Sequence, residues 1–322
     1  MEECYDKLIK FCKKMSKFDK NNIIETKNYK GNKHLRNKLL EIEFLSSRLK
    51  NKILKDIKNT LYFKINYEDC KINIIYGSSN KRLPLKLLGD ISKRVSLLKK
   101  LGKSKKCHFL INIIPSSFKK IYKNGNDLCG DNINSGVTWI NSGEIFVWRK
   151  EELLKVLTHE LIHCFKYDNS LYNHSFNSNK FKFIKNRYTL NETYTELLAE
   201  FINLGIELKC VEYSVFKKMW ENEVDFSVCQ AIRVMRILGF SCFNDMISTS
   251  WKQQTNVFNY YILRSAIMIY YNDFFQKFCS LKINPSKFET FAEKCFYSHK
   301  FKHIINNSSC SKSTSLRMTS YG

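Results

Sequence analysis

The chain has 322 residues, of which 43% are hydrophobic and 14% aromatic, and it carries a formal charge of +24. That length and apolar content allow a sizeable core and exclude a disordered or low-complexity chain. No apolar run reaches membrane-spanning length, and the amino terminus MEECYDKLIKFCKKM lacks the apolar core of a signal peptide, so the expectation is an intracellular, cytoplasmic protein with no membrane partner.

Residues 1–58 read as a helical region, with apolar residues at helical spacing around Leu8 to Cys12 and Leu39 to Leu45 and a polar loop over 19–35. Residues 59–168 read as a β/α subdomain. Leu61–Ile65 and Ile72–Tyr76 alternate as strands, and Pro84 opens a helix over Leu85–Leu101. Phe109–Ile114 is a further strand. Val137–Ile140 and Glu144–Trp148 flank Asn141-Ser142-Gly143 as a hairpin, and a long helix begins near Lys150. Residues 169–306 read as a helical subdomain, and 307–322 as a polar, flexible tail.

Twelve cysteines suit a disulfide scaffold only in a short secreted chain. With no CxxC pair, they read as reduced thiols, mostly buried, and not as zinc ligands. The positive surplus would attract nucleic acid or acidic polypeptide. It is spread over the whole length, however, in a chain with only four alanines and three prolines, the bias an A/T-rich genome produces through lysine codons. No basic motif with interleaved stacking aromatics appears, so nucleic acid is not the favoured partner.

The central motif is VLTHELIHCF, residues 156–165, which contains HExxH on a predicted helix. Residues four apart share a helix face, so His159 and His163 can reach one cation, with Glu160 beside them as a general base for a metal-activated water. The apolar flanks are what a buried active-site helix requires. His299 and His303 are also four apart, but no glutamate follows the first and lysines surround them, so that pair reads as solvated surface. A tetrahedral catalytic zinc needs a third protein ligand. The candidate segment is NETYTELLAEF, residues 191–201, a helix with Glu192, Glu196 and Glu200 on one face and Asn191 as its N-cap. A plain solvated acidic face is the alternative for those three carboxylates.

HELIH followed by NETYTE, whose Glu192 lies twenty-nine positions after His163, resembles the gluzincin metallopeptidases. The resemblance implies an α+β, zincin-like fold, with a small mixed β-sheet and the active-site helix in the N-terminal half and a mainly helical C-terminal half. It implies one Zn2+ per chain on His159, His163 and Glu192, with Glu196 as the outer carboxylate. A slip of one turn would make Glu196 the ligand and Glu200 its outer partner. The blocks NSGVTW, GEIFVWRKEELLKVLTHELIH, NETYTELLAEFIN and TNVFNYYILRS together resemble uncharacterised proteins of metallopeptidase type encoded by large DNA viruses. A viral source would place the chain in host cytoplasm or virion.

Among groups near the metal, Tyr260 or Tyr261 is a candidate oxyanion donor, and Arg264 a candidate grip on a substrate carboxylate. His174 is a further donor candidate. Ser135, Gly136 and Thr138 are candidates for a substrate-binding strand acting through the backbone. Cys164 has apolar neighbours and reads as core. The expected function is zinc-dependent hydrolysis of peptide bonds in an intracellular protein, acidic if the surplus charge steers it. The alternative is a catalytically weak zincin-fold module that binds an acidic protein or nucleic acid.

Overall fold

The computed structural model describes residues 1–29, 33–78, 84–123, 127–176, 179–185, 189–208, 211–278, 281, 283–311 and 313–321. In chain order the elements begin with α1 (Glu2–Lys13), β1 (Ile23–Tyr29), α2 (Lys33–Leu40), α3 (Ser47–Lys55), β2 (Asn59–Tyr67), β3 (Cys70–Ser78), α4 (Leu85–Leu101) and β4 (His108–Ser116). Next come α5 (Gly130–Ile133), β5 (Gly136–Trp139), β6 (Glu144–Arg149), α6 (Leu153–Cys164), α7 (Asn169–Tyr172), α8 (Asn191–Glu207) and α9 (Tyr213–Ile237). The last are α10 (Phe243–Ser248), a π-helical segment Phe258–Leu263, α11 (Arg264–Met268), α12 (Tyr271–Phe278), α13 (Pro285–Phe296) and α14 (His299–Asn307). Among the described residues no helix is long and apolar enough to cross a membrane.

The architecture is mixed α/β, and the chain divides into two compact units. The sheet unit comprises Lys7–Lys120 and Asn134–Lys166. Its six strands run in the order β1-β2-β3-β4-β6-β5. β1, β2 and β3 are antiparallel neighbours, β3, β4 and β6 are parallel, and β5 returns antiparallel on the far edge. The parallel pair β3–β4 needs a crossover, which α4 supplies. β6 lies inside the sheet, and all six residues of EIFVWR are buried. Phe146 and Trp148 join Leu35, Leu39, Leu49, Ile53 and Ile114 in one core cluster, with Val137 and Trp139 packed on it.

The helical unit comprises Met1–Asp6, Ile121–Ile133 and Tyr167–Tyr321. Aromatic rings fill it: Phe201 meets Phe216, Trp220 and Phe275 at centroid distances of 5.3, 5.9 and 4.4 Å. Tyr5 closes the same core, stacked on Phe216 at 4.2 Å with its hydroxyl donated to the carbonyl of Val211.

Three expectations are corrected. The stretch expected as a loop over 19–35 contains β1; its polar sequence IIETKNY hid an edge strand, one face of which needs no apolar residues. The segment expected as a flexible tail is packed. Leu316 and Thr319 are fully buried, and the carbonyls of Ser311 and Ser315 accept from Arg233. Cys229 and Cys310 are not free thiols but a disulfide with Cα atoms 5.5 Å apart. The partners lie 81 residues apart, a pairing that local spacing cannot reveal.

Candidate metal centre

The hairpin β5–β6 leads directly into α6. Gly143 makes the turn at φ +69°, a conformation that favours glycine. The thiol of Cys164 donates to the Gly143 carbonyl at 3.2 Å, tying the far end of α6 to this turn. Burial pushes that thiol up, against the pull of Lys106, so it is a core thiol rather than a nucleophile. At the near end, Glu152 precedes the helix at φ +58° and is buried in an ion pair with Lys120 at 2.9 Å.

His159, Glu160 and His163 are all buried on α6. The two imidazoles converge, with Nε2 atoms 2.9 Å apart. Two nitrogen ligands of one tetrahedral zinc would stand about 3.3 Å apart, so the pair is close to ligating separation. Glu160 turns to β5. The Thr138 hydroxyl lies 2.8 Å from Glu160 Oε2 and 2.9 Å from its main-chain oxygen. A Cβ at Gly136 would come within 2.6 Å of Glu160 Oε1 and 2.8 Å of Val156 Cγ1, so only glycine lets strand and helix approach this closely.

Glu192 sits in the first turn of α8, where the positive end of the helix dipole favours a carboxylate. Asn191, expected as the N-cap, lies instead inside the first turn and donates to Asp168 Oδ2 at 3.1 Å. The π segment is clamped to the same turn: Asn259 Nδ2 donates to the carbonyl of Thr189 at 2.8 Å and to Thr193 Oγ1 at 3.0 Å. The next residue, Tyr260, donates its phenol to Glu192 Oε2 at 3.1 Å. His159 and His163 of the sheet unit and Glu192 of the helical unit could hold a metal ion. Two imidazoles and a carboxylate suit zinc and other divalent transition metals alike.

The other candidates fall elsewhere. Glu196 and Glu200, the pair of the alternative register, face Arg264, whose Nη1 lies 3.5 Å from Glu196 and 3.9 Å from Glu200. Arg264 is fully buried and also donates to Ser227 Oγ at 3.1 Å, so its guanidinium is committed to the helical core and not to a substrate. Tyr261 is equally buried and donates to the carbonyl of Leu316 at 2.6 Å; the helical phase that turns Tyr260 to Glu192 turns Tyr261 inward. His174 stands 3.7 Å from Glu289 and edge-on to Phe176. Ser135 is buried in the hairpin, where its carbonyl accepts from Trp148 N at 3.0 Å. The sequence reading missed Thr138 as a partner of Glu160 and Asn259 as the clamp behind Tyr260. A glycine inside a strand pattern was the available signal for the first; a buried asparagine in an apolar run has none as specific.

No family model matches the chain, and no solved structure matches it. An uncharacterized protein of Acanthamoeba polyphaga mimivirus is 25% identical over 189 residues, which cover 54% of this chain and 48% of that protein. The chain thus spans about half the length of this relative.

Proposed function

We propose that the protein is a zinc-dependent peptidase of the gluzincin type, binding one Zn2+ through His159, His163 and Glu192 and using Glu160 as general base. The observation that carries the reading is the convergence of the two buried imidazoles, with Nε2 atoms 2.9 Å apart and Glu160 on the same helix. The mixed sheet, with an antiparallel edge strand leading through β6 into the HExxH helix, supports a zincin-like architecture. When bound, the ion acidifies a water towards a pKa of about 7 and polarises the scissile carbonyl.

The chain's own residues supply the rest. Glu160 takes the proton of the attacking water on a carboxylate oxygen and passes it to the departing amine. Of the two tyrosines Tyr260 is the one assigned to the developing oxyanion, its single phenolic proton turning from Glu192 to the substrate as the charge develops. β5 receives the substrate. The carbonyls of Ser135 and Trp139 accept from Trp148 and Gly143, so odd-numbered residues bond towards β6. Strand alternation then turns the backbone groups of Gly136 and Thr138 to the free edge, where an extended peptide can add as a further strand. Placement in an intracellular compartment and action on an acidic protein belong to the same proposal.

The test is metal analysis joined to peptide hydrolysis. Wild type should hold about one zinc per chain, and Glu160→Gln should keep it while losing roughly 10²- to 10⁴-fold in kcat. Full hydrolysis by Glu160→Gln would remove Glu160 as the base, and no hydrolysis by zinc-loaded wild type would end the peptidase assignment.

A further inference from the structure

Gly136 and Thr138 lie two residues apart on β5, so both present the same face, and that face is turned to α6. Val137 and Trp139, on the opposite face, pack in the core cluster with α2 and α3. The carboxylate of Glu160 is therefore bounded by the strand at both oxygens. Oε2 accepts from the Thr138 hydroxyl, and Oε1 rests where a side chain at residue 136 would have to be.

We propose that Thr138 is a positioning residue for Glu160, and that Gly136 is the clearance that lets the carboxylate lie against the strand. The inference rests on the peptidase reading for its catalytic consequence, though the contact itself does not. A glutamate has three rotatable side-chain torsions, and a general base must stay within about 0.5 Å of its working position. A hydroxyl suits this task better than a cation. It fixes one oxygen by donating a single proton and leaves the negative charge available. The same two residues turn their backbone groups to the open edge. A peptide added along that edge is then set in register with the base, because strand and base are one hydrogen-bonded piece.

A merely structural role is the competing account, in which Thr138 serves only the main-chain oxygen of Glu160, 2.9 Å away. Two measurements separate them. In the first, the zinc-loaded full chain and its Thr138→Val and Thr138→Ser variants are assayed on fluorescent casein, with zinc content measured in parallel. Thr138→Val should lower kcat about tenfold or more, with KM and zinc content held, and Thr138→Ser should recover most of the loss. In the second, the zinc-free protein is unfolded in urea as wild type, Thr138→Val, Glu160→Met and the double variant. The midpoint shifts should be non-additive, the second substitution adding little once the first is made. Unchanged kcat in Thr138→Val, or additive midpoints, overturns the proposal. If zinc-loaded wild type does not cleave casein, or Glu160→Gln cleaves it as well as wild type, the reading of Glu160 as a peptidase base fails instead, and the zinc-free cycle alone decides whether Thr138 fixes Glu160.

Discussion

On α6 the buried carboxylate of Glu160 is met by a hydroxyl and a bare glycine, whereas on α8 the buried carboxylates of Glu196 and Glu200 are met by the guanidinium of Arg264. A hydroxyl orients a charge without cancelling it. A guanidinium cancels it and locks it in place, and such a pair is dismantled only at high cost. The three glutamates spaced by four on α8 therefore divide: Glu192, half-buried at the helix start, is the one that could join the histidines on a metal ion, and the next two turns belong to the framework. The comparison teaches that carboxylates on one helix face take different roles according to what the next layer offers them.

The sharpest way to break that division is to exchange the two ends of α8. Glu192→Ala should lower metal affinity by more than the roughly 10- to 100-fold that loss of an outer partner costs, with little loss of fold. Glu196→Ala should keep the metal but destabilise by about 3 kcal/mol, because it strips a partner from a buried cation. Zinc content and urea unfolding of both variants read the contrast. The reverse pattern would restore the one-turn slip and remove Glu192 from the site.

A second comparison sets covalent against non-covalent attachment. The Cys229–Cys310 disulfide clips the C-terminal segment to α9, where Gln230 and Arg233 also hold it by hydrogen bonds to the carbonyls of Arg317 and Ser315. Closing a loop of 81 residues restricts the unfolded chain by about 4 kcal/mol in the loop-entropy account. Cys229→Ser with Cys310→Ser should therefore lower the urea midpoint. Equal midpoints for wild type and the double variant would show that the hydrogen bonds suffice.

Much of the metal centre is legible in the amino-acid order alone. HExxH has a fixed spacing with a geometric reason, and the hairpin has a turn whose glycine is required, so His159, Glu160, His163 and the β5–β6 pair can be read directly. The helix over Leu85–Leu101 is legible because apolar periodicity and Pro84 agree. What escapes depends on partners distant in sequence. Arg264 on an apolar segment looks the same whether it faces substrate or Glu196. Tyr260 and Tyr261 are adjacent and chemically identical, and only the seating of the π segment on α8 distinguishes them. β1 escapes because an edge strand need not alternate.

The smallest expected effect concerns Glu223, which extends the Arg264 cluster on α9. It is buried, and its Oε1 accepts from Ser320 N at 2.9 Å. Burial pushes its carboxyl above the ordinary value of 4.5, while Ser320 and then Arg264 pull it back without cancelling the shift. A carboxyl raised in this way binds its proton more tightly in the folded than in the unfolded chain. Its contribution to stability is therefore complete below 4.5 and is lost as pH rises through the folded value. Glu223→Gln keeps an acceptor for Ser320 and removes the titration. The variant should therefore gain on wild type as pH rises above 4.5, by an amount on the order of 1 kcal/mol, and the gap should close in acid. Urea unfolding between pH 4 and 8 measures it. A gap that stays flat across that range would mean that Glu223 binds its proton equally in the folded and unfolded chain, so that Arg264 and Ser320 already offset its burial.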